Sequence, residues 1–138
     1  MPPTLHLTND IRQVPHLAAW VEQLAEECQL PPALTLQLQL ALEEAVVNVM
    51  QYAYPGQEGR PITLTAQPAA DAISFTLIDE GIPFDPTQAT PPDLTLPAQD
   101  RPVGGLGIML VRHIMTHVAY SRAHGCNHLS MTISIPHP

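Results

Sequence analysis

"RPVGGLGIMLVRHI", Arg101 to Ile114, places three glycines within four residues and then an apolar run at helical spacing. Glycines at a helix start can simply let the chain turn tightly. They can also leave backbone N–H groups unpaired, with the positive end of the helix dipole against an anion. Gly104, Gly105 and Gly107, with Leu106 among them, are the candidate anion-facing residues. Leu106, Met109, Leu110 and Ile114 predict a core stripe on a helix from about Leu106 to His117. The glycines alone do not distinguish a hinge from a cradle, so the flanking sequence has to.

Upstream, residues 82–103 carry six prolines and no clear period, which predicts a long loop. Before it, "ITLTAQ" alternates Ile62, Leu64 and Ala66 with polar residues. "PAAD" (68–71) can turn the chain, and "AISFTLIDEG" sends Ile73, Phe75 and Leu77 one way, so two strands are expected. "TLHLT" (4–8) alternates likewise. Asn9 and Asp10 can cap a helix whose stripe is Leu17, Trp20, Val21, Leu24, Ala25 and Cys28, with Pro31 and Pro32 expected to end it. A second helix is expected near Thr35, with Leu38, Ala41, Leu42, Ala45, Val46 and Val49 on its core side, stopping at "YAYPGQEG". Downstream, strands fit near 117–123 and 128–135, joined by "HGCN". No repeat or domain boundary is visible, so residues 1–138 are read as one domain. Its class is α+β, a two-layer sandwich with helices on one face of a mostly antiparallel (mixed) sheet.

Composition narrows the function. At 138 residues with 45% apolar content the chain can bury a core. No window approaches a membrane-spanning length, and the N-terminus lacks the basic-then-apolar pattern of a secretory signal. Two widely spaced cysteines, Cys28 and Cys126, indicate no disulfide framework, which makes the cytoplasm the expected location. The net charge is −8, and all five cationic residues are arginines. Without lysine there is no Walker-type phosphate lysine and no Schiff base, and nucleic acid is an unsuitable partner. Any polyphosphate would need loop amides and a divalent cation for most of its countercharge.

Two further places could carry chemistry. In "ALEEAVVNVMQYAY" (41–54), Glu44 and Asn48 are four apart and share a helix face. A carboxylate there can take the proton of an attacking hydroxyl while the amide oxygen ligates Mg²⁺; a solvated pair on a wet helix face is the plain alternative. Glu43 projects about 100° away and reads as a solvated charge. In "LIDEGIPFDP" (77–86) a strand runs into Asp79. Its carboxylate can accept from the exocyclic amine of adenine, and Gly81 would let the base lie against bare backbone. An ordinary Asp-Gly-Pro turn is the alternative.

The succession of the three segments, "EEAVVN", "DEGIPFDP" and "GGLGIMLV", resembles the GHKL (Bergerat-fold) ATP-binding superfamily of gyrase-type ATPases and histidine kinases. Within it the chain looks most like the serine-kinase/anti-sigma-factor group, over nearly its whole length. The resemblance implies ATP and Mg²⁺ as cofactors, Glu44 as catalytic base, Asn48 as Mg²⁺ ligand and Asp79 as adenine reader beside Gly81. It implies that Gly105 and Gly107 close a lid, residues 83–104, over the phosphates. The chain departs from the family pattern where Pro83 replaces the last glycine of the first box, and where Arg101 sits offset from the usual arginine. A late-strand hydroxyl often helps hold the base, with Ser130 and Thr132 as candidates.

The activity implied is that of a protein-serine/threonine kinase phosphorylating a small antagonist protein, with a sigma factor as a further partner and a homodimer left open. A binding module that uses ATP only to set its shape is the alternative, disfavoured because both Glu44 and Asn48 are kept. The catalytic half of a histidine kinase fits less well, since no helix bearing a phospho-accepting histidine precedes the domain. His113 and His117, four apart on the expected third helix, have zinc-clamp spacing but no carboxylate or cysteine at matching distance.

Overall fold

The computed structural model describes residues 3–88 and 105–136. Strand β1 (Thr4–Thr8) leads through a short 3-10 turn into helix α1 (Val14–Glu27) and then α2 (Pro32–Tyr52). Strands β2 (Pro61–Pro68) and β3 (Ala72–Asp79) follow, and after the loop come α3 (Gly105–Ile114), β4 (His117–Ala123) and β5 (Cys126–Ser134). The strands form one sheet in the order β1-β2-β3-β5-β4. Every described pairing is antiparallel.

Alternation decides which face of this sheet is covered. Ile62, Leu64 and Ala66 on β2 are buried, as are Ile73, Phe75 and Leu77 on β3 and Leu129, Met131 and Ile133 on β5. The register sets them side by side: Leu64 opposite Leu77, and Leu77 opposite Leu129. They share one cluster with Leu17, Val21 and Leu24 of α1, Leu38, Leu42 and Val46 of α2, and Ile108 and Val111 of α3. Each fully buried side chain of this size contributes roughly 1.5–3 kcal/mol. On the other sheet face Ser74, Ser130 and Ser134 stay exposed, so the helices form one layer.

Element boundaries differ from expectation in two places. Proline does not end α1. The helix stops at Glu27 in a Schellman motif: Leu30 N–H donates to Ala25 O at 2.9 Å and Gln29 N–H to Glu26 O at 3.2 Å. Gln29 takes the left-handed conformation, φ 55°, that glycine usually fills. Pro32 instead opens α2 in its first turn, where its missing N–H costs nothing, so that helix starts three residues before Thr35.

The third helix differs in phase. Ile108, Val111 and Met115 are buried while Met109 is 43% exposed. The expected stripe of Leu106, Met109, Leu110 and Ile114 is therefore displaced around the helix. "GLGIMLVRHIM" is apolar on nearly every side, so helical spacing alone admits both phases. The helix also ends at Ile114, leaving His117 at the start of β4, so His113 and His117 do not share a helix face. The β4–β5 turn is shorter than expected: His124 and Gly125, φ 53° and 76°, make the two-residue reversal, and β5 begins at Cys126.

The long loop 82–103 begins with order. Asp85 Oδ1 accepts from Thr87 N–H at 2.9 Å and from the Thr87 hydroxyl at 2.5 Å, capping a 3-10 turn at Pro86–Gln88. Arg112 of α3 donates to Thr87 O at 2.9 Å. Of the expected lid 83–104, residues 89–104 lie outside the described residues, and Arg101 and Gly104 with them.

Candidate functional site

Helix α2 supplies the spine of the site. Glu44 and Asn48 lie one turn apart on it, Glu44 half-buried and Asn48 only 7% exposed. Among the described residues the Asn48 amide makes no hydrogen bond. Its polar atoms are not among the fully enclosed unpaired ones, so the amide stays open to water or a ligand. Its oxygen is a hard donor of the kind Mg²⁺ takes, so the residues present fit that ion. Glu43, read as a solvated charge, is half-buried.

At one end of the spine α2 meets α3. A Cβ built on Gly107 would stand 2.8 Å from Glu44 Oε2, so the glycine backbone lies directly against the carboxylate. Gly105 opens α3, with Leu106 next to it in the first turn; the Leu106 side chain lies outside the described residues. A cleft of about 570 Å³ opens beside this contact, lined by Glu44, Gly107, Met109, Leu110 and His113. The shifted phase of α3 is what turns Met109 and Leu110 toward it.

At the other end α2 meets the end of β3. Gly81 has a packing task that the sequence does not show. A Cβ there would fall 2.7 Å from both the carbonyl carbon and the Cβ of Ala53. The missing side chain is thus required by packing against the end of α2, and that face of the glycine is not open to a base. Ile82 N–H donates to Ala53 O at 2.9 Å and tightens the same contact. Tyr54 joins in: its hydroxyl donates to Pro61 O at 2.5 Å and accepts from Glu80 N–H at 2.6 Å. Burial, more than any neighbouring charge, raises its phenol above the ordinary value of 10.0. Tyr52, one turn past Asn48, holds Phe84 with ring centroids 5.9 Å apart.

Asp79 is 4% exposed at the end of β3. Its Oδ1 accepts from Gly81 N–H at 2.9 Å and from Asn127 Nδ2 at 2.8 Å, while Oδ2 takes none of the described hydrogen bonds. Asn127, opposite Asp79 on β5 and equally buried, was missed by the sequence reading. The signal was there: Asn127 has the same strand parity as Leu129, Met131 and Ile133, and a polar residue on a buried alternation needs a partner. Ser130 and Thr132 have the opposite parity. Their side chains stand on the uncovered face, Thr132 Oγ1 3.3 Å from Ser74 Oγ, and neither hydroxyl can reach a base at Asp79.

Glu44 and Ala53 are nine residues apart, about 14 Å along α2 at 1.5 Å per residue. The carboxylate with the glycine-started helix is at one end and the Asp79 turn at the other, a span suited to a purine nucleoside triphosphate. The chain belongs to a known class with this layout: the family model for the histidine kinase-like ATPase domain matches residues 7–133. Among curated relatives it is 34% identical to the serine/threonine-protein kinase BtrW of Bordetella bronchiseptica, over 82% of this chain and 80% of that protein. It is 29% identical to the serine-protein kinase RsbW of Listeria monocytogenes over 59% of the chain, spanning about half (54%) of that relative. Its fold is similar to the RsbU and RsbW domains of a Mycobacterium tuberculosis protein (TM-score 0.68, 15% identity, 99% of this chain and 33% of that one). It is also similar to the histidine kinase domain of a blue-light activated kinase from Erythrobacter litoralis (TM-score 0.57, 14% identity, 86% and 61%). Among the described residues no helix is long and apolar enough to cross a membrane.

Proposed function

We propose that this chain is an ATP-dependent protein-serine/threonine kinase of the anti-sigma type, acting on a small antagonist protein, with a sigma factor as its second partner. The observation that carries the reading is the Glu44 carboxylate set against the Gly107 backbone, one helical turn from the unpaired amide of Asn48. The names of the bacterial relatives point the same way.

In this reading Asp79 accepts a hydrogen bond from the adenine amine, and amides at the start of α3 face the phosphates. Asn48 offers its amide oxygen to Mg²⁺, which when bound supplies countercharge to the triphosphate that this lysine-free chain lacks. Glu44 takes the proton of the acceptor serine or threonine hydroxyl. That oxygen bonds the γ-phosphorus as the bond to the β,γ-bridging oxygen breaks and ADP leaves. The cytoplasm is the matching location, where two free thiols, Cys28 and Cys126, stay reduced.

Transfer from γ-labelled ATP with Mg²⁺ to the small antagonist domain encoded nearest the gene is the test. A Glu44→Gln variant should bind ATP and transfer roughly 10²–10⁴-fold more slowly. Equal transfer by wild type and variant would remove Glu44 from the chemistry. ATP binding with no transfer by either would leave an ATP-set binding module.

A further inference from the structure

We propose that Asn127 is the positioning residue through which Asp79 tells adenine from a 6-oxopurine; the proposal rests on the nucleotide reading of Asp79. The amide of Asn127 is surrounded so that only one orientation works. Its Oδ1 accepts from the Tyr120 hydroxyl at 2.5 Å, from Arg122 Nη1 at 3.1 Å and from Phe84 N–H at 3.3 Å. Its Nδ2 faces two acceptors, Asp79 Oδ1 and Ile82 O, each at 2.8 Å. A flipped amide would set N–H groups against two obligate donors, Arg122 and the Phe84 N–H, and an oxygen against two acceptors. The donation to Asp79 is therefore imposed by β4 and by the segment after β3, not chosen by Asn127 alone. Arg122 reinforces the frame through a second bond, to Gly81 O at 2.7 Å.

For Asp79 the consequence is a carboxylate with one oxygen occupied and one aimed. Oδ1 holds two N–H donors, which leaves Oδ2 to meet the base. A carboxylate presents acceptor lone pairs only. An exocyclic amine at purine position 6 satisfies Oδ2, whereas a carbonyl there sets acceptor against acceptor in a buried place. A carboxylate free to swing would soften that penalty and weaken the bond to the amine. Asn127 thus acts through Asp79 and touches no reacting atom, and its signature is a change in selectivity rather than a loss of binding in general.

The test is isothermal titration of the full chain, with Mg²⁺, using ATP and inosine triphosphate, which differ at the purine 6-position and the adjacent N1 proton. Asn127→Leu keeps the branched outline and removes the donor. Its ATP affinity should fall about tenfold, with inosine triphosphate changing less than about twofold, so the ratio drops about tenfold. Tyr120→Phe removes one donor from the frame without removing Asn127, and should lower the ratio about two- to threefold at a near wild-type melting temperature. If Asn127→Leu fails to fold, Tyr120→Phe decides. Equal losses for both nucleotides, leaving the ratio unchanged, would overturn the proposal and make Asn127 a structural tie. Asp79→Asn separates the two levels. A collapsed ratio there, with none in the Asn127 and Tyr120 variants, overturns this inference and leaves the pocket standing; no effect of Asp79→Asn overturns both.

Discussion

Two glycines in this chain have neighbours of opposite kinds, and one added methyl group should separate their roles. At Gly81 the new Cβ meets main chain, the carbonyl carbon of Ala53, with Ile82 already bonded to the same residue. Backbone on both sides cannot yield, so Gly81→Ala should lower stability by about 1–3 kcal/mol, read from the urea midpoint. At Gly107 the nearest described atoms to the new Cβ all belong to the Glu44 side chain, and the closest, Oε2, is its far end and can rotate away. Gly107→Ala should therefore keep its melting temperature within about 2 °C of wild type while phosphoryl transfer falls roughly tenfold to a hundredfold, because the base is displaced. A variant that unfolds, or one that transfers at the wild-type rate, would break the proposed link between this glycine and the carboxylate. Both positions read from the sequence as ligand-facing glycines, but only a neighbour distant in sequence distinguishes a packing requirement from a functional one.

At the scale of elements, helical and strand periods were legible wherever one face was apolar and the other was not. The alternations of β2 and β3 gave their buried residues directly. The end of α1 was harder to read because its stop signal is a glutamine. Gln29 adopts φ 55° to complete the Schellman bonds, and the left-handed conformation costs a residue with a Cβ about 1–2 kcal/mol. Gln29→Gly should relieve that strain and raise stability by about 0.5–1 kcal/mol after the extra unfolded-state freedom of glycine is counted, measured by denaturant unfolding. A loss of stability would mean that the Gln29 side chain contributes more than its backbone strain costs. The α3 phase has a similar cause. The apolar positions of α3 run most of the way round, with Arg112 and His113 marking one polar side, and packing against α2 selected which of them face the core. The same packing places Met109, Leu110 and His113 beside Glu44, a grouping that no spacing rule could have supplied.

At the scale of the whole molecule, the helix layer and the sheet are tied where α2 ends. Tyr54 bridges the start of β2 and the end of β3 through Pro61 O and Glu80 N–H, with the Arg60 guanidinium 5.4 Å from its ring centre. Its phenol titrates above the ordinary 10.0, chiefly from burial. The neutral form is thus favoured by folding. Its contribution is complete below the unfolded value and is lost as pH rises through the folded one. Thermal unfolding of wild type should accordingly fall more steeply above about pH 10 than that of Tyr54→Phe. Parallel curves would mean that the tie does not depend on the phenol proton.

The sequence by itself determined the element types and their order, the covered face of the sheet, and the three segments that carry Glu44, Asn48, Asp79 and the glycines. These follow from local properties: side-chain periods of 3.6 and 2, and the turn chemistry of Gly, Pro and Asp. Only the tertiary structure decided which phase of α3 faces the core, that Gly81 serves packing, and that Asn127 rather than Ser130 or Thr132 stands beside Asp79. Those are matters of register and contact between segments far apart in the chain, Asp79 and Asn127 by 48 residues and Glu44 and Gly107 by more, where a shift of one position exchanges the two faces of a strand.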